Sequence, residues 1–141
     1  MTSKSSKKRR RRWPDNVTSG GVWWCDRGWQ PVKYALCLDE SVWDREMKRL
    51  QLTTTVSFPT AHGCCTFLES GQQAMVMVTL GEGYKSRKPI EVAGILVHEA
   101  THVWQHITKI IGEESPSIEF EAYSIQAISQ ELMHAFKELT K

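Results

Sequence analysis

The feature that most constrains this chain is a histidine pair in an apolar segment, Ile95 to Gln105. His98 and His102 are four residues apart, so on an α-helix both imidazoles leave the same face about one turn apart. Two neutral imidazoles so placed can share one Zn²⁺ ion at roughly 2.0–2.1 Å. Glu99 is turned by roughly 100° from His98, so its carboxylate can take a proton from a metal-bound water. The pattern therefore predicts a zinc site of the hydrolytic kind.

The residues around the motif predict a helix from Pro89 to Ile111. Proline suits the first position of a helix, and Gly112 suits the position that ends one. Because the residues around the histidines are mostly uncharged, we expect the histidines to lie on a mostly buried helix, where unpaired imidazoles and a carboxylate are costly. Ordinary core histidines are the alternative. A buried ionisable cluster usually has a partner, which favours the metal.

A catalytic zinc ion needs a third protein ligand and an open position. His106 cannot join His98, because residues eight apart on a helix are separated by about 12 Å of rise. The next helix offers Glu119 and Glu121. Its apolar stripe lies closer to Glu121, whereas the short linker before the helix and the flanking Tyr123 favour Glu119.

The two segments His98–Gln105 and Glu119–Tyr123 together resemble the Glu-zincins, whose second motif often reads Glu-x-x-Ala with the first Glu as ligand. The resemblance is strongest to small zincin-like proteins of tailed bacteriophages and covers roughly residues 29 to 133. It implies His98 and His102 as zinc ligands, Glu99 as general base and Glu119 as third ligand.

The chain departs from the family at one position. The family commonly has an aspartate four residues after the third ligand, which orients a ligand histidine, and this chain has Tyr123 there. Because ligand histidines usually donate their second N–H to a carboxylate or carbonyl, Glu121 or Glu113 is the candidate replacement.

The primary hypothesis is a zinc-dependent peptidase acting on a protein or peptide, such as a phage or host polypeptide. Tyr123, with His106 behind it, is the candidate donor to the tetrahedral oxyanion. The alternative is a virion or assembly protein in which zinc clamps two helices among other phage structural proteins, with weak or no catalysis. Glu99 favours chemistry, because a purely structural site has no use for a base. A nucleic-acid-binding module with an incidental histidine pair is a third reading.

The basic residues are concentrated at the N-terminus, although the net charge of the chain is only +2. Six consecutive residues near the start of the chain are basic: Lys7, Lys8, Arg9, Arg10, Arg11 and Arg12. We expect a disordered tail over residues 1–14 and a single domain over 15–141. The tail is either a solvated segment or an arm for nucleic acid or another polyanion.

The chain shows no sign of a secretory signal or a membrane span. No apolar segment follows the basic run, so the N-terminus does not have the form of a signal peptide. No apolar run approaches the roughly 20 residues that cross a bilayer. We expect the protein in the cytoplasm of the bacterial host cell or in the virion, without membrane contact.

The remaining segments predict an α+β domain: a small, mainly antiparallel sheet with two long C-terminal helices and one earlier helix packed on one face. Strands are predicted at 31–38, 53–58 and 73–80, helices at 40–50 and from Ser115-Pro116 to about Leu139, and a loop at 60–71. The resemblance implies that strand 73–80 runs along the substrate cleft, and an ordinary core strand is the alternative. On helix 40–50 the predicted inward face is Val42, Trp43, Met47 and Leu50, and Glu46 is assigned to the solvated side.

The cysteines and tryptophans are assigned to structure rather than to chemistry. The four cysteines are Cys25, Cys37, Cys64 and Cys65, and we expect free, mostly buried thiols. A structural zinc site of His62 with Cys64, Cys65 and a further cysteine is less favoured, because no Cys-x-x-Cys spacing is present. Trp23, Trp24 and Trp29 are expected in the core or a lid, with base stacking as the alternative.

Overall fold

The computed structural model describes residues 21–25, 28–52 and 56–141, so the predicted basic tail lies outside the described residues. The elements are β1 (Val22–Cys25), β2 (Val32–Cys37), α1 (Glu40–Arg49), β3 (Gly63–Ser70), β4 (Gln73–Leu80), a short 3₁₀ helix (Glu82–Ser86), α2 (Pro89–Ile111) and α3 (Ile118–Leu139). The predicted α+β class is confirmed. None of the helices in the described part of the chain is long and apolar enough to cross a membrane.

The four strands form one mixed sheet in the order β1-β2-β4-β3. The outer pairs, β1 with β2 and β3 with β4, are antiparallel, as predicted for most of the sheet. The central pair is parallel, with Val32 opposite Ala74 and Cys37 opposite Thr79. A parallel neighbour requires a long crossover, and here α1 and β3 lie between the two strands in the chain.

Two predictions about the sheet are wrong. The predicted loop 60–71 contains β3, and residues 56–58 of the predicted strand 53–58 form no strand, while 53–55 lie outside the described residues. β4 is paired on both sides, so it has no free edge for a substrate and is the ordinary core strand that the sequence left as the alternative. Within the described residues the strand at the sheet edge beside α2 is β3.

The helices cover both faces of the sheet, not one as predicted. α2 and α3 pack on the face that carries Trp23, Tyr34, Leu36, Val76 and Val78. α1 packs on the opposite face, which carries Trp24, Ala35, Met75 and Met77. Alternate residues of β4 therefore lie in the two cores, Val76 and Val78 in one and Met75 and Met77 in the other. Trp23 and Trp24 are buried, as expected, whereas Trp29 is 57% exposed.

α1 begins where the sequence predicted, because Asp39 Oδ1 accepts a hydrogen bond of 2.7 Å from the backbone N–H of Ser41. The placement of Glu46 on the solvated side is wrong. Glu46 is buried. Its carboxylate accepts a 3.0 Å hydrogen bond from Trp24 Nε1 and forms an ion pair with Arg49. The pairing with Trp24 is what allows a charged residue on this face.

α2 has the predicted bounds. It starts at Pro89 and ends at Gly112, whose φ of 72° is a left-handed conformation that favours glycine. α3 starts at Ile118, slightly later than predicted, with Ser117 Oγ accepting from the backbone N–H of Phe120 at 3.3 Å. The two helices pack side by side and bring the start of α3 next to the last turns of α2.

Candidate metal centre beside Glu99

The two histidines of α2 meet at their Nε2 atoms. His98 Nε2 and His102 Nε2 are 3.2 Å apart, and the ring planes cross at 75°. With bonds of about 2.05 Å to a shared zinc ion, this separation corresponds to an N–Zn–N angle of about 100°, close to tetrahedral. The two Nε2 atoms therefore have the spacing of two ligands in a tetrahedral zinc site.

Gln105 orients the second histidine. Its side-chain oxygen, Oε1, lies 2.9 Å from His102 Nδ1. An amide oxygen only accepts, so the hydrogen of His102 is on Nδ1 and the lone pair of Nε2 points to His98. Neither Glu121 nor Glu113, the carboxylates considered from the sequence, is needed for this bond. The signal in the sequence was the position of Gln105, three residues after His102 on the same helix.

Glu99 is the buried member of the motif. Its residue is 4% exposed, whereas His98 is exposed and His102 is half-buried. The sequence placed the histidines on a mostly buried helix, but α2 packs the face that carries Glu99 and Ala100, and His98 is turned away from that face. The cost of burying an ionisable group falls on the carboxylate.

One oxygen of this carboxylate lacks a partner. Glu99 Oε2 is buried and has no hydrogen bond to any described residue. An unpaired buried acceptor costs about 1–3 kcal/mol, and charged groups cost more. A carboxylate kept in this condition is expected to have a ligand or solvent partner in the working protein.

The edge strand β3 passes directly over Glu99. A Cβ atom at Gly63 would lie 2.9 Å from Glu99 Oε1 and 2.5 Å from Ile95 Cγ2, so only glycine fits without a shift. Cys65 Sγ donates a 3.3 Å hydrogen bond to the backbone oxygen of Glu99. Burial raises the pKa of the Cys65 thiol, and Glu99 raises it further, so this thiol stays protonated.

A cavity of about 510 Å³ opens beside Glu99. It runs between the first half of α2 and the segment that leads into β3. Its lining residues are Ala61, His62, Gly63, Glu91, Gly94, Ile95, His98 and Glu99. The volume is within the range of about 300–1,000 Å³ typical of ligand pockets. His62 was considered from the sequence only as a partner of cysteines, and its place next to α2 depends on the tertiary fold.

Among the residues that the structure describes, no third donor lies close to the histidine pair. Across residues 21–25, 28–52 and 56–141, no group of three or more His, Cys, Asp or Glu side chains is close enough to hold a metal ion. Glu119 is exposed in the first turn of α3. Glu121 Oε2 accepts a 3.1 Å hydrogen bond from Trp104 Nε1. The choice between the two glutamates stays a prediction.

The two candidate oxyanion donors lie away from the cavity. Tyr123 is 66% exposed, and His106 stacks on Phe67 with ring centroids 4.3 Å apart. Burial lowers the pKa of His106, and the charge of Lys109 lowers it further. Neither Tyr123 nor His106 lines the cavity beside Glu99.

The cysteines form no cluster with His62. All four have free thiols, and Cys25 and Cys37 are buried, whereas Cys64 and Cys65 are half-buried. Cys64 and Cys65 are consecutive on β3, so their side chains point to opposite faces of the sheet. In the described part of the chain they complete no metal-binding group.

No family model, curated protein sequence or solved structure matches this chain.

Proposed function

We propose that this protein is a zinc-dependent peptidase with a zincin-like arrangement. The proposal depends on two observations on the same helix: a buried oxygen of Glu99 without a hydrogen-bond partner among the described residues, and two imidazoles whose Nε2 atoms are 3.2 Å apart. A metal-dependent hydrolase needs a base beside its cation, and a buried carboxylate with an unfilled acceptor position suits that role.

The residues present fit zinc in their chemistry. His98 and His102 would hold the ion through Nε2, and Gln105 already holds His102 in the required tautomer. Glu119 would be the third ligand, with Glu121 as the alternative, after a change of side-chain position at the start of α3. When bound, zinc supplies Lewis acidity and lowers the pKa of water towards about 7.

Glu99 would move the proton. Its carboxylate accepts a proton from the water that attacks the scissile carbonyl, and later donates it to the leaving nitrogen as the C–N bond breaks. The close approach of β3 at Gly63 to Glu99 Oε1 limits the movement of the carboxylate on that side. Cys65 remains a neutral thiol there and does not compete for the proton.

The substrate would be a polypeptide. The cavity beside Glu99 is open to solvent along α2, since Glu91, Gly94 and His98 are exposed residues on its wall. The basic tail, Lys7 to Arg12, is outside the described residues and enters the proposal only as an arm for nucleic acid or a neighbouring subunit.

The test compares the wild type with Glu99→Gln, which removes the base and keeps the shape of the side chain. Glu40→Gln, the same change at an exposed position on the other face of the sheet, is the control. Zinc content and cleavage of a mixed peptide library are measured for each. We expect zinc in all three proteins, cleavage by the wild type and the control, and a rate lower by about 10²–10⁴-fold in Glu99→Gln.

Other outcomes separate the alternatives. Zinc in every protein with cleavage in none supports the virion or assembly protein, in which the metal clamps two helices. No zinc in the wild type contradicts both. Glu119→Gln and Glu121→Gln identify the third ligand by the loss of stoichiometric zinc. We expect the loss in Glu119→Gln, and full zinc there with none in Glu121→Gln assigns the role to Glu121.

A further inference from the structure

The cavity beside Glu99 is lined by a second histidine besides His98, and this residue has no role in the proposed mechanism so far. His62 lines the cavity together with His98 and Glu99, but it belongs to the segment that leads into β3. The backbone there is fixed, because Gly81 N donates a 3.0 Å hydrogen bond to the carbonyl oxygen of His62. His62 therefore lies on the wall of the cavity opposite α2.

Arg87 determines which nitrogen of His62 carries hydrogen. Arg87 Nη2 lies 2.8 Å from His62 Nδ1. A guanidinium group only donates hydrogen bonds, so Nδ1 must accept with its lone pair. With Nδ1 as the acceptor, the ring hydrogen lies on Nε2. Arg87 is held in turn by an ion pair with Glu91, whose Oε2 is 3.6 Å from Nη1.

We propose that His62 Nε2–H donates a hydrogen bond to the oxygen of the attacked carbonyl, and that Arg87 is the positioning residue that fixes this tautomer. This inference rests on the proposed peptidase function. It replaces Tyr123 and His106 in the oxyanion role, since neither of those residues lines the cavity.

The step balances without any further reactant. As the water oxygen bonds to the carbonyl carbon, the π electron pair of C=O moves to the oxygen, where His62 Nε2–H stabilises the charge. When the C–N bond breaks, that pair re-forms C=O, and the leaving nitrogen takes the proton held on Glu99. His62 keeps its own hydrogen throughout.

Kinetics on the full chain test the donor. Removing one oxyanion donor lowers kcat by about 10²–10³-fold, because the bond is made mainly in the transition state, and it changes KM little. We expect this loss in His62→Ala and a partial recovery in His62→Gln, whose amide keeps an N–H. Arg87→Ala is expected to lower kcat less than His62→Ala does. The control Lys88→Ala removes an exposed cation next to Arg87 and is expected to keep wild-type kcat.

A second measurement does not depend on activity. The ¹⁵N shifts of the His62 ring in the metal-free protein, at a pH well above the ordinary histidine pKa, report the tautomer directly. We expect hydrogen on Nε2 in the wild type and in Lys88→Ala, and a mixture of tautomers in Arg87→Ala. Hydrogen on Nδ1 in the wild type overturns the inference even if the peptidase is active.

The outcomes separate this inference from the function on which it rests. Wild-type kcat in His62→Ala, with cleavage lost in Glu99→Gln, rejects the role of His62 and leaves the peptidase standing. A wild type that binds zinc and cleaves nothing rejects the peptidase, and the catalytic role of His62 with it. A loss in His62→Ala that appears as a higher KM with unchanged kcat shows a binding contact and also rejects the oxyanion role.

Discussion

The two buried glutamates of this protein should respond to the same substitution with opposite signs. Glu99 is 4% and Glu46 5% exposed. Oε2 of Glu99 has no partner among the described residues, whereas Glu46 accepts from Trp24 Nε1 at 3.0 Å and pairs with Arg49. Methionine nearly matches glutamate in length and carries no hydrogen-bonding oxygen, so Glu→Met at each position isolates the cost or benefit of the carboxylate.

The magnitudes come from these contacts. An unpaired buried polar group costs about 1–3 kcal/mol, so Glu99→Met is expected to raise the free energy of unfolding by about that amount in metal-free protein. Glu46→Met removes the acceptor of Trp24 Nε1 and is expected to lower the free energy of unfolding by about 1–3 kcal/mol. The ion pair with Arg49 adds little, because that arginine side chain is 39% exposed.

Urea unfolding in the presence of a chelator measures both variants against the wild type. The slope of unfolding free energy with urea should stay constant, so the midpoints report stability alone. We expect the highest urea midpoint for Glu99→Met, an intermediate midpoint for the wild type and the lowest midpoint for Glu46→Met. A Glu99→Met protein destabilised as much as Glu46→Met shows that the Glu99 carboxylate is satisfied in the metal-free protein and refutes the reasoning.

Three further predictions concern single residues. Gly63→Ala places a Cβ 2.9 Å from Glu99 Oε1, so we expect a loss of about 1–3 kcal/mol in urea unfolding and lower peptidase activity; unchanged values contradict the close approach. Gln105→Leu removes the acceptor of His102 Nδ1 and should weaken zinc binding by about 10–100-fold in a calorimetric titration, and unaltered affinity rules this contact out. Asp39→Ala removes the cap of α1 and should lower stability by about 1 kcal/mol near neutral pH. The hydrogen bond from the Ser41 hydroxyl holds the pKa of Asp39 below its ordinary value. The stability difference between Asp39→Ala and the wild type is therefore full at pH values above the ordinary pKa, and it disappears as the pH falls through the lowered pKa of the folded protein.

Local signals were sufficient for most helices and for the strands with regular alternation. Pro89 and Gly112 mark the ends of α2, because proline fits the first turn and only a left-handed residue continues the chain at the last. Asp39 marks the start of α1. The alternation in β4 separates the residues of the two core faces correctly.

Features created by non-local pairing were missed. β3 has glycine, two cysteines, glutamate and serine in place of an alternating β-branched pattern, and it is a strand because β4 pairs with all of it. The tight turn at Gly71, with a φ of 61°, connects the two strands. Glu46 is charged and belongs to the core only because Trp24 on β1 lies opposite it.

In the candidate site too, the contacts within one helix were predicted and the contacts between elements were not. The spacing within α2 predicted that His98 and His102 meet, since one helix carries both. The residues around them come from other elements: Gly63 from β3, His62 from the segment before it, and Arg87 from the segment before α2. No periodicity in the sequence relates positions 62, 63 and 87 to positions 98 and 99, so tertiary structure was needed to find them.

The most direct measurement is the zinc stoichiometry of the full chain by native mass spectrometry, for the wild type and for the double variant His98→Ala/His102→Ala. We expect one zinc ion for each wild-type chain and none for the double variant at the same zinc concentration. One zinc ion bound equally by both proteins, or none bound by the wild type, would contradict it.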